Sequence, residues 1–316
     1  MSDEHMQDPG LGEVYDDRTQ RIINLDGSFN IRRTGIGSQF KHIFQWLINT
    51  TWTNFTLLIL GGYIVMNVAF AFIYLSIGIE EISGRELMHV KSDFVIALFF
   101  SFQTFTTVGY GLLAPLSPLA NWVASIEALF GFISFSIATG LLYGRFSRPS
   151  ALIMYSKKIL VAPFQDGYSL MFRLVNMRPN VLMDLEAKVL LTTTHQENGI
   201  FRRKYHTLHL DLDHIDFFPL NWTIVHPIDE ESPFYQKSVT EILKLNPEIL
   251  VLLKAFDDTF SQTVHSRYSY AMRDIVFNAK FLPAFHTHKD GTVTINVHDI
   301  HKFEKLPGKL GDVKKE

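Results

Sequence analysis

Two long uncharged stretches stand out along the chain. Phe55–Gly78 runs for about two dozen residues without a charged side chain, long enough to cross ~30 Å of hydrocarbon as a helix. Ala120–Tyr143 is the second, with one ionisable residue, Glu127. Between them Phe94–Phe105 is apolar but only about a dozen residues, too short to span. A helix of a soluble core seldom stays apolar on every face for so long. Two spans with a short apolar segment between them predict a re-entrant helix and loop. Such backbone is tolerated at membrane depth only where protein or a water-filled cavity surrounds it.

Before the first span, Ile36, Phe40, Ile43, Phe44 and Leu47 recur at helical spacing, while Gln39, Lys41, His42 and Gln45 take the other face. With Trp46 this is the pattern of a helix lying along a membrane surface, predicted over residues 36–50. An amphipathic helix packed on a soluble domain has the same pattern. Arg32, Arg33 and Lys41 precede the first span; Arg145, Arg148, Lys157 and Lys158 follow the second. The connecting stretch, with Glu80, Glu81, Arg85, Glu86, Lys91 and Asp93, has no basic excess. The positive-inside rule then puts both termini in the cytoplasm and the re-entrant loop outside, in a plasma-membrane protein.

Directly after the short apolar helix stands Thr107-Val108-Gly109-Tyr110-Gly111. Filters of the TVGYG type replace the hydration shell of potassium with backbone carbonyls. Gly109 and Gly111 fill places where a Cβ would be penalised. Thr107 would add its hydroxyl at the cavity end, and Val108 and Tyr110 would pack the filter wall. The pore helix ends near Phe105, so its negative C-terminal end favours a cation. One such loop per chain cannot close a ring of four, which predicts a homotetramer. In the second span Phe135, Thr139 and Tyr143 share one helical face. They would line a cavity and a hydrophobic gate, or serve lipid-facing or interhelical packing. Gly131 would allow bending or close packing. Glu127, an intramembrane carboxylate, should face protein and support the filter by a hydrogen bond.

Past Arg148-Pro149 the pattern changes. Asp166-Gly167, Asn198-Gly199 and Asp290-Gly291 are hairpin signals. Leu170–Val175, Lys188–Thr193, Tyr205–Leu210, Trp222–Val225, Ile249–Leu253 and Val293–Val297 read as strands, and Val239–Leu245, opened by Ser238 and Glu241, as a helix. The fold class predicted is membrane α plus cytoplasmic β: a two-helix pore domain with re-entrant pore helix and filter, followed by a β-sandwich. The divisions are a tail over 1–35, the interfacial helix over 36–50, a pore domain over 51–149, a sandwich over 150–305 and a tail over 306–316. Polar residues alternate at His209, Asp211 and Asp213, and at His286 and His288; a solvent-facing strand explains them as well as a metal does.

Composition adds bounds. The 316 residues are 47% hydrophobic with mean hydropathy +0.10, as a short membrane part averaged with a soluble one would be. The formal charge of −3 points to no nucleic acid, and the absence of cysteine excludes disulfides, thiolate metal sites and a cysteine nucleophile. Met1–Arg21 is polar, without the apolar core of a signal peptide, and reads as a disordered tail. No nucleophile–base or nucleotide-binding pattern suggests an enzyme, and no cofactor is expected beyond permeant potassium.

From Ile23 to about Phe303 the chain resembles the KirBac family of bacterial inward-rectifier-type potassium channels. DGSFNIRR at Asp26–Arg33, TTVGYG at Thr106–Gly111, IEALFG at Ile126–Gly131 and LLYGRFSRP at Leu141–Pro149 carry the resemblance in the membrane half. FRLVNMR at Phe172–Arg178, NWTIVHPIDEESPFY at Asn221–Tyr235 and VHSRYSY at Val264–Tyr270 carry it in the soluble half. The resemblance implies a slide helix at the interface and an immunoglobulin-like cytoplasmic domain extending the conduction path. It puts Phe135 at the position that governs polyvalent-cation block in inward rectifiers and forms the bundle-crossing constriction in bacterial members. Phenylalanine there argues against strong polyamine block, and the extracellular cysteine pair of eukaryotic relatives is absent. It also implies control by anionic lipids, for which Arg145, Arg148, Lys157 and Lys158 are the candidate contacts.

Overall fold

The uncharged and the alternating patterns fold separately. In the computed structural model residues 34–148 form one unit, and residues 1–33 with 149–316 form the other. The structure describes residues 8–12, 14–15, 21–32, 34–35, 43–147, 151–197 and 200–307. Arg33, Lys41, Arg148, the turn at Asn198-Gly199 and the first half of the predicted interfacial helix lie outside them. Of that helix, α1 (Ile43–Asn49) is described.

In the first unit α2 (Trp52–Ile77) and α4 (Pro118–Phe146) are long and apolar enough to cross a membrane. Both start earlier than the uncharged runs because their caps lie outside them. The Thr51 hydroxyl accepts from the Asn54 amide, and Ser117 caps a helix opened by Pro118. The short helix α3 (Asp93–Phe105) lies between them in the chain. Phe70, Ala71 and Tyr74 of α2 enclose Ile96, Ala97 and Phe100 of α3 in one apolar cluster. Ile79, Ile82 and Leu113 belong to the same cluster, so the loops on either side of α3 are packed with it.

The second unit is β-rich. Its first sheet has the order β1 (Val14–Tyr15), β8 (Ile200–Leu208), β7 (Leu182–Glu197), β11 (Glu248–Asp257), β12 (Gln262–Ala271), with β9 (His214–Phe217) on β7. The second has β10 (Asn221–Pro227), β6 (Gly167–Asn176), β5 (Ile159–Phe164), β13 (Ile275–Phe277), with β4 (Ile153–Tyr155) on β6. Phe172 and Leu174 of one sheet share a core with Leu185, Leu191, Ile249 and Val251 of the other. This is the sandwich predicted. Helix α5 (Val239–Lys244) opens on the expected capping box of Ser238 and Glu241.

The strands expected within β6, β7, β10 and β11 are present. Two expected strands end earlier: β8 starts at Ile200 but stops at Leu208, and residues after Ile295 turn into a 3-10 helix. Among the strands not expected are β5 and β12. Ile159, Leu160, Val161 and Ala162 are all buried, because β5 has the main core on one face and Ala279 and Phe281 on the other; nothing alternates. In β12 the core face carries Val264 and Tyr270 but also Ser266, and on the opposite face Ser269 is buried under Ile23, so apolar alternation fails there too.

The N-terminal residues, expected as a tail over 1–35 that is disordered through Arg21, dock in part on the first sheet of this unit. β1 pairs with β8, and Ile22 and Ile23 are buried against Leu250 on the outer side of the first sheet. The Ile22 amide donates to the Glu248 carboxylate at 2.8 Å, the Ser269 hydroxyl donates to the Ile23 carbonyl at 2.8 Å, and Arg21 pairs with Asp274. An apolar residue on an outer sheet face and a buried carboxylate both need partners, and this segment supplies them.

His226, buried at the end of β10, hydrogen-bonds through Nδ1 to the His209 carbonyl at 2.6 Å and through Nε2 to the Ser232 hydroxyl at 2.8 Å. Only the neutral Nδ1–H tautomer donates to the first and accepts from the second. Burial holds its pKa below the usual histidine value. A depressed folded-state pKa gives stability that is complete above the unfolded value, about 6.5, and is lost as the pH falls. Denaturant midpoints should therefore drop between pH 7.5 and 5.5, and the drop should be smaller in His226→Gln, which lacks the titrating group.

Candidate functional site

The last turn of α3 does not simply stop. The Thr106 amide donates to Phe102 O, Thr107 to Thr104 O, and both Val108 and Gly109 donate to Gln103 O, at 3.0 and 3.3 Å. The backbone then alternates: Thr107, Gly109 and Gly111 have φ of 58°, 50° and 86°. Two of these were expected from the glycines. The third, Thr107, is a β-branched residue in the left-handed region, a strain of about 1–3 kcal/mol that the surroundings have to hold. Residues 106–112 are exposed within the chain, Tyr110 at 80%. Val108 and Tyr110 therefore have no wall to pack on within a single copy.

Behind this loop the three helices are tied by polar groups in a wholly buried place. Glu127 of α4 accepts from the Tyr74 hydroxyl of α2 at 2.6 Å and hydrogen-bonds Ser101 of α3. Ser101 Oγ also lies 3.0 Å from Asn67 Oδ1 of α2, whose Nδ2 donates to the Tyr63 carbonyl at 2.7 Å. Glu127, Ser101 and Asn67 have no solvent exposure. The carboxylate thus faces protein, as its location in an apolar span requires.

Gly131 settles one of the open alternatives for α4. A Cβ at this position would stand 1.8 Å from the Phe105 carbonyl oxygen. The glycine lets α4 approach the end of α3 directly, the close-packing use of glycine in apolar helices. No local pattern reveals this, because the partner lies on another helix.

Below the loop is an apolar cavity of about 850 Å³ whose lining includes Tyr63, Phe105, Thr107, Gly131 and Phe135. Of the three predicted gate residues only Phe135 lines it. Thr139 and Tyr143 lie further along α4, exposed within the chain.

The four candidate lipid-contacting bases divide. Arg145 is occupied: Nη1 donates to Leu47 O and Ile48 O, and Nη2 to Thr50 O, at 2.8–2.9 Å. These are carbonyls at the end of α1, which have no helical partner of their own. Its guanidinium lies 4.5 Å from the Trp52 ring centroid and 4.6 Å from that of Phe55. Lys158 donates to Arg273 O at 2.8 Å and stands 3.5 Å from Asp274. Lys157 is exposed beside His301, whose pKa is lowered by partial burial and by this lysine. Arg148 lies outside the described residues. His209, Asp211 and Asp213 follow the end of β8 and are exposed, and no group of three metal-ligating side chains occurs among the described residues.

Two family profiles match the chain. Residues 44–148 match the one described as an ion channel, and residues 153–314 match the inward rectifier potassium channel C-terminal domain. Among curated proteins the chain is similar to inward rectifier potassium channel Kirbac3.1 of Paramagnetospirillum magnetotacticum, 35% identical over 90% of this chain and 96% of that one. It is 22% identical to G protein-activated inward rectifier potassium channel 4 of Bos taurus, over 89% of this chain and 72% of that one. The corresponding channel 2 of Mus musculus is 24% identical over 90% and 72%.

Replacing Glu127 with alanine strands the buried Tyr74 hydroxyl, at ~1–3 kcal/mol, while Ser101 keeps the Asn67 oxygens at 3.0 and 3.1 Å. The thermal midpoint of the detergent-solubilised protein should fall accordingly. Glu127→Gln, which still accepts from Tyr74 and donates to Ser101, should lose less than half as much.

Proposed function

Because this chain belongs to the inward rectifier potassium channel family, we propose that four copies surround one potassium-selective pore whose filter is Thr107–Gly111. The observation that carries the reading is the left-handed backbone at every second residue, Thr107, Gly109 and Gly111, directly after the C-terminus of α3. Potassium sheds water onto carbonyls of this segment and passes by repulsion between ions at neighbouring sites. The negative end of α3 favours a cation in the cavity below. Conduction is passive, down the electrochemical gradient, with potassium as permeant ligand and no cofactor or enzymatic step.

Exposure of the segment in one chain supports assembly as a homotetramer, since the apolar Val108 and Tyr110 need neighbours. The gate is a hydrophobic constriction at Phe135, which borders the cavity, with Thr139 and Tyr143 on the cytoplasmic side of it. Glu127 supports the filter through Ser101. The chain is a membrane protein; we assign it to the plasma membrane with both termini cytoplasmic, from its basic flanks.

Lipid modulation is reassigned among the four bases. Arg145, with its donors on the carbonyls of α1 and its guanidinium within 4.6 Å of the Trp52 and Phe55 ring centroids, is a mechanical link between the interfacial helix and the inner helix. Lys157 and Arg148 remain as contacts for anionic lipid, each base near a charged leaflet attracting by ~1 kcal/mol. Lys157→Gln should change the anionic-lipid response of flux by about fivefold at most. Arg145→Lys keeps the charge but loses the fork, so it should impair flux at every lipid composition. An Arg145→Lys channel altered only in its lipid dependence would return Arg145 to the lipid contacts.

The test of the main reading is rubidium uptake into liposomes holding the purified protein. Barium-blockable uptake with weak sodium competition, lost in Gly109→Ala, is the expected result. Absence of uptake in every lipid mixture, including those free of phosphoinositide, together with failure to form tetramers, would overturn it.

A further inference from the structure

The outer end of the filter is held by a second device, far from the helices beneath it. After α2 the chain makes a short strand, β2 (Ile82–Ser83), which pairs antiparallel with β3 (Ala114–Pro115), three residues beyond Gly111. Ile82 faces Pro115 and Ser83 faces Ala114. The Leu116 amide donates to the Glu81 carbonyl at 2.8 Å, and the Ser83 hydroxyl donates to the Ala114 carbonyl at 3.1 Å. Ile82 and Leu113 are both buried, in the apolar cluster that also holds Phe100 of α3.

The pairing closes on one residue. Gly84 has φ 78° and ψ −1°, and a Cβ there would stand 1.8 Å from the Leu112 carbonyl oxygen and 2.8 Å from its carbon. Both partners in that contact are backbone, so no side chain can move aside. Leu112 is the residue directly after Gly111, and it is exposed like the filter itself, whereas Leu113 is buried. The chain therefore passes from unsupported to fixed within one peptide unit, and Gly84 is what lies against that unit.

We propose that Ile82, Ser83 and Gly84 form a clasp that positions the outer carbonyls of the filter, with Gly84 as the positioning residue. The proposal rests on Thr107–Gly111 being the filter. Tight coordination of the permeant ion needs the last carbonyls held from outside as well as from α3, because among the described residues of one copy they accept no backbone hydrogen bond. A side chain at Gly84 would push the Leu112 peptide away, at a backbone angle that itself disfavours a Cβ.

The experiment measures the ratio of rubidium to sodium uptake in liposomes for three proteins prepared as tetramers. Wild type gives the reference ratio. Gly84→Ala is expected to lower it by about tenfold, the effect of strain of the size that a Cβ in this region brings, with tetramer yield retained. Ser83→Cys with Ala114→Cys supplies a reading independent of how well that variant folds. The chain has no other cysteine, and directly opposed strand residues are within disulfide reach. Oxidised, this pair should keep its ratio after exposure to potassium-free buffer for longer than when reduced. A ratio unchanged in Gly84→Ala, or an oxidised pair that behaves as the reduced one, would overturn the clasp while leaving the wild-type filter standing. Wild type without selective uptake would overturn the filter, and the clasp with it.

Discussion

A backbone that leaves the helix inside an apolar layer has to account for every N–H and C=O it exposes, since no water is there to take them. The architecture of the first unit follows from that constraint. Residues 106–112 leave the helical pattern between two apolar helices, and the chain satisfies only part of their polar groups. Amides of Thr106 to Gly109 turn back to carbonyls of the last turn of α3. The amides of Tyr110 to Leu112 have no such partners among the described residues of one copy. What is left over suits the function proposed: carbonyls without hydrogen bonds are what a dehydrated cation can use.

Holding such a strand requires rigid surroundings, and they come from small and polar residues rather than from bulk apolar packing. Gly131 brings α4 onto the Phe105 carbonyl, where any Cβ would separate them. Glu127 joins Tyr74 and Ser101, so that α2, α3 and α4 meet at one buried carboxyl. Gly84 makes the corresponding close approach to the Leu112 carbonyl, beyond the other end of the segment. At the far end of α4 Arg145 closes the exposed carbonyls of α1 and lies close to the rings of both Trp52 and Phe55. Each of these is a contact between elements that are distant in sequence.

That distance explains what was legible from the residues alone. The two apolar runs, the short one between them and the TVGYG segment are local patterns, and the structure has helices at all three and left-handed angles at Gly109 and Gly111. The sandwich was legible where strands alternate, as in β6, β10 and β11. It was not legible in β5, covered on both faces, or in β12, which buries a serine. The docking of Ile22 and Ile23 depends on Leu250 and Glu248, more than two hundred residues away, and no pattern near residue 22 reports them. Arg145 read as one basic residue among four; only its geometry separates a base aimed at carbonyls from one left for lipid.

The central claim is that Thr107–Gly111 from four copies binds dehydrated potassium on a common axis. It is tested most directly by anomalous diffraction from crystals of the full chain grown in rubidium. A row of rubidium peaks on a fourfold axis, spaced between the carbonyls of Thr107 to Gly111, is the result this account requires. An ordered loop with no peaks along it, or an assembly without a fourfold axis, would contradict it.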